Sequence, residues 1–199
     1  MNGCVFIETR NFDGLTKKFD DHLKYLPGWD AIAICSKDNE HQFKKFDRII
    51  IDHPRTRSDY NYMITKAEFW EPLLKYDRIL SCEHESGILK YGVDEFLEWD
   101  YIGAPWPFQE HGANGGFSIR NPKAMVKTIE HKRYNSMYGN EDTYFCNNFK
   151  GNLAPRNECL KFSVETEFRL GTFGYHFGSD AKRMLTEDQI NKIMSQNEK

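Results

Sequence analysis

The sequence has no concentrated basic stripe: Lys17-Lys18, Lys44-Lys45 and Lys132-Arg133 are scattered pairs, and the net charge is −3. Duplex nucleic acid, which needs a row of cations against its phosphates, is therefore not an expected partner. No apolar run approaches the roughly 20 residues needed to cross a bilayer. No leader-like segment is read ahead of Val5, so the expectation is a soluble chain without a membrane span. The five cysteines, Cys4, Cys35, Cys82, Cys146 and Cys159, are odd in number and include no CxxC pair. That is the pattern of a reduced, intracellular protein. Neither an internal repeat nor a low-complexity linker interrupts the chain.

What is present points to a packed α/β domain. Aromatic residues make up 15% and charged residues 29% of the 199 positions, a globular balance. Residues 1–185 read as one domain and 186–199 as a terminal helix and tail. Apolar runs predict strands over Cys4–Ile7, Trp29–Cys35, Phe46–Ile51 and Ile79–Cys82, and over Phe162–Val164. Leu15, Phe19, Leu23 and Leu26 recur at a helical period that Pro27-Gly28 ends. A helix from near Asp59 would carry Tyr60, Met63, Ile64, Ala67, Trp70 and Leu74 on one face, with Pro72 kinking or ending it. A short helix is expected at Val93–Leu97, a loop over Pro107–Ala113, and helix starts at Asn121-Pro122, at Asn140 and at the Thr186–Gln189 capping box. Gly171–Gly178 reads as a glycine-rich loop presenting His176.

The chemistry gathers at strand ends. After the strand through Cys82 come Glu83, His84 and Glu85, oxygen and imidazole donors that suit a hard divalent cation. Glu8, Thr9 and Arg10 follow the first strand and Asp52 the third, and ligands of open α/β sheets collect beyond such ends. Arg55, Arg57 and Lys66 are candidate diphosphate contacts, since guanidinium and ammonium groups compensate phosphate charge. The paired Gly115-Gly116 requires backbone to pass close to a ligand or a strand. Glu141-Asp142 opens a helix, where acids also merely complement the macrodipole by about 0.3–1 kcal/mol each.

Seven strings in fixed order carry a resemblance: YNYM with FW (60–63, 69–70), YDRIL with Glu85, WDYIGAPW (99–106), NGGFSIRN (114–121), NEDTYF (140–145), FSVE (162–165) and GYHFG (174–178). Together they resemble the small GT-A-type glycosyltransferases of bacteria and giant algal viruses, over roughly Val5 to Gly178. The resemblance implies a Rossmann-like nucleotide-binding half on a mixed central sheet flanked by helices. It also implies a nucleotide-sugar donor, here a UDP-sugar, and a glycan or glycoprotein acceptor, as in capsid glycosylation. Mn²⁺ or Mg²⁺ would bridge the diphosphate, held by Glu83 and Glu85 with His176 as a late ligand. Glu stands where the family motif has Asp, which leaves open which of the two carboxylates touches the metal.

By the same resemblance Glu141-Asp142 supplies the catalytic base, Asp142 being preferred for its shorter side chain. Asn114, Gly115 and Gly116 wall the donor sugar. Thr9, Arg10 and Asp52, at their strand ends, should then face the nucleotide with Arg57 and Lys66 on its diphosphate, and Tyr60 or a nearby aromatic would stack on the base. The expected location is the cytoplasm, that of the host if the chain is viral. Two other readings stand beside this one: a nucleotidyltransferase, and a non-catalytic nucleotide-sugar-binding module of a glycan assembly.

Overall fold

The computed structural model describes residues 1–108 and 113–198. The strands among them are β1 (Asn2–Ile7), β2 (Asp30–Cys35), β3 (Asp47–Ile50), β4 (Arg78–Cys82), β5 (Ser86–Ile88), β6 (Tyr101–Gly103), β7 (Phe117–Arg120), β8 (Ser163–Val164) and β9 (Gly174–His176). The helices are α1 (Leu15–Leu23), α2 (Arg57–Ile64), α3 (Ala67–Trp70), α4 (Pro122–His131), α5 (Glu141–Asn148), α6 (Arg156–Phe162), α7 (Ala181–Met184) and α8 (Glu187–Met194). Six strands form a mixed sheet in the order β3-β2-β1-β4-β7-β6. The first four run parallel, while β7 is antiparallel to β4 and to β6. A smaller sheet, β5-β9-β8, adjoins it.

Side-chain alternation along the central strands explains why both faces need cover. Cys4 and Phe6 of β1, Ala33 and Cys35 of β2, and Leu80 and Cys82 of β4 point to one face, against Leu15 and Phe19 of α1 and Cys159 and Phe162 of α6. Val5, Ile7, Ile32, Ile34 and Ile79 point to the other, against Ile64, Trp70, Met125, Ile129, Tyr144 and Phe145 from α2 to α5. The result is a mixed central sheet with helices on both faces. All five cysteines are free and buried. Among the described residues no helix is long and apolar enough to cross a membrane.

Several expected elements change shape. The single helix from Asp59 to Leu74 is two, α2 and α3, because Trp70 Nε1 donates to Ile64 O at 2.7 Å and Thr65 Oγ1 to Asn61 O at 2.7 Å. The Ile64 carbonyl is taken by the Trp70 indole, while the Asn61 carbonyl keeps its bond from Thr65 N and closes α2; Pro72 then sits in a short 3-10 turn. The capping box of α2 starts earlier, with Thr56 as cap and Asp59 at its third position. The Gly171–Gly178 loop contains a strand, β9, paired with β5 on one side and β8 on the other. Helix α6 was not expected at all. Asn121 caps α4 and Thr186 caps α8 as expected. Most of the Pro107–Ala113 loop lies outside the described residues, as does Lys199 of the tail.

Candidate functional site

The C-terminal ends of β1 and β4 open into one cleft of about 1070 Å³. Because β7 runs the opposite way, its N-terminal approach, Asn114 to Gly116, meets the same rim. The head of α5, the ends of β8 and β9, and α7 complete the walls.

The turn after β1 is tied down by its neighbours. Asn39 donates to Glu8 O at 2.7 Å and to Arg10 O at 2.9 Å, and Ser36 donates to Thr9 O at 2.7 Å. Glu8 is buried and grips Arg10 with two parallel bonds, Nε to Oε1 at 2.9 Å and Nη2 to Oε2 at 2.8 Å. His84 Nδ1 lies 2.8 Å from the same Oε2. Burial pushes the Glu8 carboxyl up, but these bonds from His84 and Arg10 outweigh it and hold the group at about 2. Thr9 Oγ1 stands 2.8 Å from His53 Nδ1 in the loop that also brings Arg55 and Arg57 to the cleft.

The 83–86 turn is braced from behind. His22 Nδ1 donates to Lys18 O at 2.8 Å, and its Nε2 lies 3.1 Å from Ser86 Oγ, which donates to Glu83 O at 2.7 Å. On the cleft side Tyr60 donates to Glu83 Oε1 at 2.8 Å. Glu83 Oε2 faces His176 Nε2 at 3.5 Å, while His176 Nδ1 is 3.0 Å from Glu165 Oε1. Burial alone would lower the His176 imidazole, but the two carboxylates hold its proton and raise it to about 10. Glu83 is correspondingly lowered: burial opposes ionisation, and His176 and Tyr60 overcome it.

Glu85 turns away from this group, with Oε1 3.2 Å from Lys182 Nζ on α7. Of the two predicted carboxylates, Glu83 is thus the one that meets His176. Among the described residues no three His, Cys, Asp or Glu side chains are already arranged around a metal position.

The acids of α5 are buried, so the helix macrodipole is not their whole environment. Asn140 occupies the cap position, but its side chain makes no capping bond. Asn61 of α2 takes that task by accepting from Glu141 N at 3.3 Å. Glu141 Oε1 pairs with buried Arg120 Nη2 at 3.4 Å. The Arg120 guanidinium also lies 5.0 Å from the centre of the Tyr101 ring. Asp142, 8% exposed, pairs with no cation among the described residues: burial and the neighbouring Glu141 raise it to about 7.

Gly115 and Gly116 are small for two reasons. A Cβ on Gly115 would lie 2.2 Å from Arg120 Nη2, and one on Gly116 would lie 2.4 Å from His176 Nε2. Asn114 Oδ1 accepts from Gly116 N at 2.8 Å and holds that bend.

Thr9, Arg10, Arg57, Tyr60, Glu83, Glu85, Asn114, Gly116, Glu141, Asp142 and His176 all line the cleft. Gly115 sits behind its wall against Arg120 and Glu141. Two expectations are corrected. Asp52 and Lys66 are exposed and do not line the cleft. Asp52 is exposed just after the edge strand β3, and the lining begins with its neighbour His53; Lys66 falls at the break between α2 and α3. Sequence reasoning assigned no role to Glu165, Trp106, Phe108 or Lys182. Glu165 at the end of the FSVE string was the one available signal, as a further acid beyond a strand.

A family model matches residues 40–176, and the chain belongs to that family, described as Protein of unknown function (DUF5672). The match takes in Glu83, Gly116, Asp142, Glu165 and His176 and leaves Glu8 to Arg10 outside. No curated protein matches the chain.

Proposed function

We propose that this chain is a metal-dependent glycosyltransferase of GT-A type, moving a sugar from a nucleoside-diphosphate donor, a UDP-sugar, to an acceptor hydroxyl. The observation that carries the reading is Asp142. It is a buried carboxyl raised to about 7, opening into the same cleft as the cationic Arg10, Arg55 and Arg57. A general base works best when its pKa lies near the working pH. Ligands of parallel sheets collect at strand C-termini, where those arginines stand.

The donor set supports a divalent cation. His176 Nε2 is shielded from solvent and has no hydrogen-bond partner among the described residues, although Glu83 Oε2 faces it. Imidazole nitrogen beside carboxylate oxygen suits Mn²⁺ or Mg²⁺. Glu83 and His176 would hold the ion, the imidazole giving up its Nε2 proton on binding, with Glu85 joining on release from Lys182. When bound, it would neutralise charge on the departing diphosphate.

The chain's own groups account for the rest. Arg10 and Arg57 compensate the diphosphate charge. Gly116 lets backbone approach the donor sugar. Asp142 takes the proton of the acceptor hydroxyl as its oxygen bonds to the sugar's anomeric carbon. The bond from that carbon to the diphosphate oxygen breaks, and the electron pair leaves with the diphosphate. Glu141 is committed to Arg120 and keeps the head of α5 in place.

A thermal-shift series with nucleoside diphosphates and UDP-sugars, with and without Mn²⁺, tests the proposal. UDP with Mn²⁺ at 100 times its Kd should add about 2.7 kcal/mol of stability. Glu83→Gln and His176→Gln should lose the metal-dependent part. Absence of any shift with every nucleoside diphosphate tried would end this reading.

A further inference from the structure

One wall of the cleft has an aromatic character. Phe108 is 75% exposed and lies stacked on Trp106, ring centres 5.7 Å apart and planes within 10°. Single exposed aromatics are ordinary. This one is backed on one face by a second ring that is almost fully buried, and its outer face is open. Arg156 of α6 donates to Trp106 O at 2.6 Å and pairs with Glu167. One guanidinium therefore holds the Trp106 loop beside the loop that carries Glu165 and Thr166.

That second loop has hydrogen-bonding capacity to spare. Glu165 is 4% exposed; its Oε1 is taken by His176, but its Oε2 has no partner among the described residues. Thr166 Oγ1, equally shielded, has none either. Both residues line the cleft together with Trp106, Phe108 and Asp142. Buried polar atoms are nearly always satisfied, so these two mark a place where something else supplies the partner.

We propose that this part of the cleft, between the Phe108–Trp106 stack and Glu165–Thr166, is a saccharide subsite, and that the acceptor is a glycan docked through one of its rings. The word acceptor rests on the glycosyltransferase reading; the saccharide site itself does not. A pyranose presents C–H bonds on a flat face and hydroxyls around its edge. The face matches an exposed aromatic ring, and the hydroxyls match a carboxylate oxygen and a threonine hydroxyl. A phosphate or other anion is disfavoured beside Glu165, Glu141 and Asp142. An apolar peptide side chain would leave Glu165 Oε2 unsatisfied. A nucleobase would stack on Phe108 but would bring its diphosphate towards the carboxylates of Glu165, Glu141 and Asp142.

Saturation-transfer NMR on the full chain, with and without UDP and Mn²⁺, tests this using methyl glycosides of glucose, galactose, mannose and xylose. At least one should receive saturation at its ring C–H protons. Phe108→Ala should weaken that glycoside at least tenfold and leave UDP binding within twofold of wild type. Thr166→Val, isosteric with threonine, should weaken the same glycoside several-fold. The inference is overturned if no glycoside binds, if Phe108→Ala binds it unchanged, or if that variant loses UDP instead. UDP binding without any glycoside binding removes only the saccharide subsite. Loss of both in the wild type removes the donor reading as well.

Discussion

Gly115 and Glu141 are in contact that admits no side chain: a Cβ on the glycine would stand 2.4 Å from Glu141 Oε1. The approach to β7 and the head of α5 are therefore set against each other through the Arg120–Glu141 pair. Gly115→Ala must push apart two buried charges. Overpacking of this kind costs about 1–3 kcal/mol, and an unpaired buried charge adds to it. Urea unfolding should show a lower midpoint with an unchanged slope. A midpoint equal to wild type would show that the pair yields freely.

Asp142 leads to a prediction of opposite sign for stability and activity. Its folded pKa is raised from 3.8 to about 7, so its contribution to stability is present below 3.8 and is lost as pH rises through 7. Asp142→Asn never ionises and escapes that loss. The variant's melting temperature relative to wild type should rise between pH 4 and pH 8. Turnover should fall by about 10²–10⁴, and the wild-type rate should climb with pH through about 7. A purely dipole-complementing acid would instead lose under about 1 kcal/mol on replacement and keep its rate.

Glu8 behaves in the reverse way. Its carboxyl is lowered from 4.5 to about 2, so its stabilising contribution is present above 4.5 and disappears as pH falls towards 2. Glu8→Gln should melt well below wild type at pH 7, and the gap should close at pH 2–3. Because Arg10 is released as well, UDP affinity should drop about tenfold. A gap independent of pH would place the effect in packing rather than charge.

The strands of the parallel half were legible because β1, β2 and β4 are buried on both faces and read as continuous apolar runs. The Asn121 and Thr186 caps were legible because capping chemistry is local. The α2–α3 break was not, since it depends on Trp70 reaching the Ile64 carbonyl. Nor was β9, which is too short to announce itself and exists by pairing with β5 and β8. At the site, the acids at strand ends could be read directly. That Glu83 rather than Glu85 meets His176 could not, because it follows from Tyr60 on one side and Lys182 on the other. The cap of α5 by Asn61 spans 80 positions and leaves no local trace.

The span from Glu8 to His176 has a consequence for the newborn chain. At about 5–20 residues per second, on the order of ten to thirty seconds separate their synthesis. In that interval the residues of β1 to β4, with Glu8 and Glu83, have been made, and the imidazole that opposes Glu83 in the folded protein has not. Repulsion between the two carboxylates is screened by Arg10 and His84, both already made, for Glu8. For Glu83 the Tyr60 hydroxyl donates and the Arg10 guanidinium attracts. The cleft therefore cannot take its final form before β9 and α7, the last of its walls, have been made.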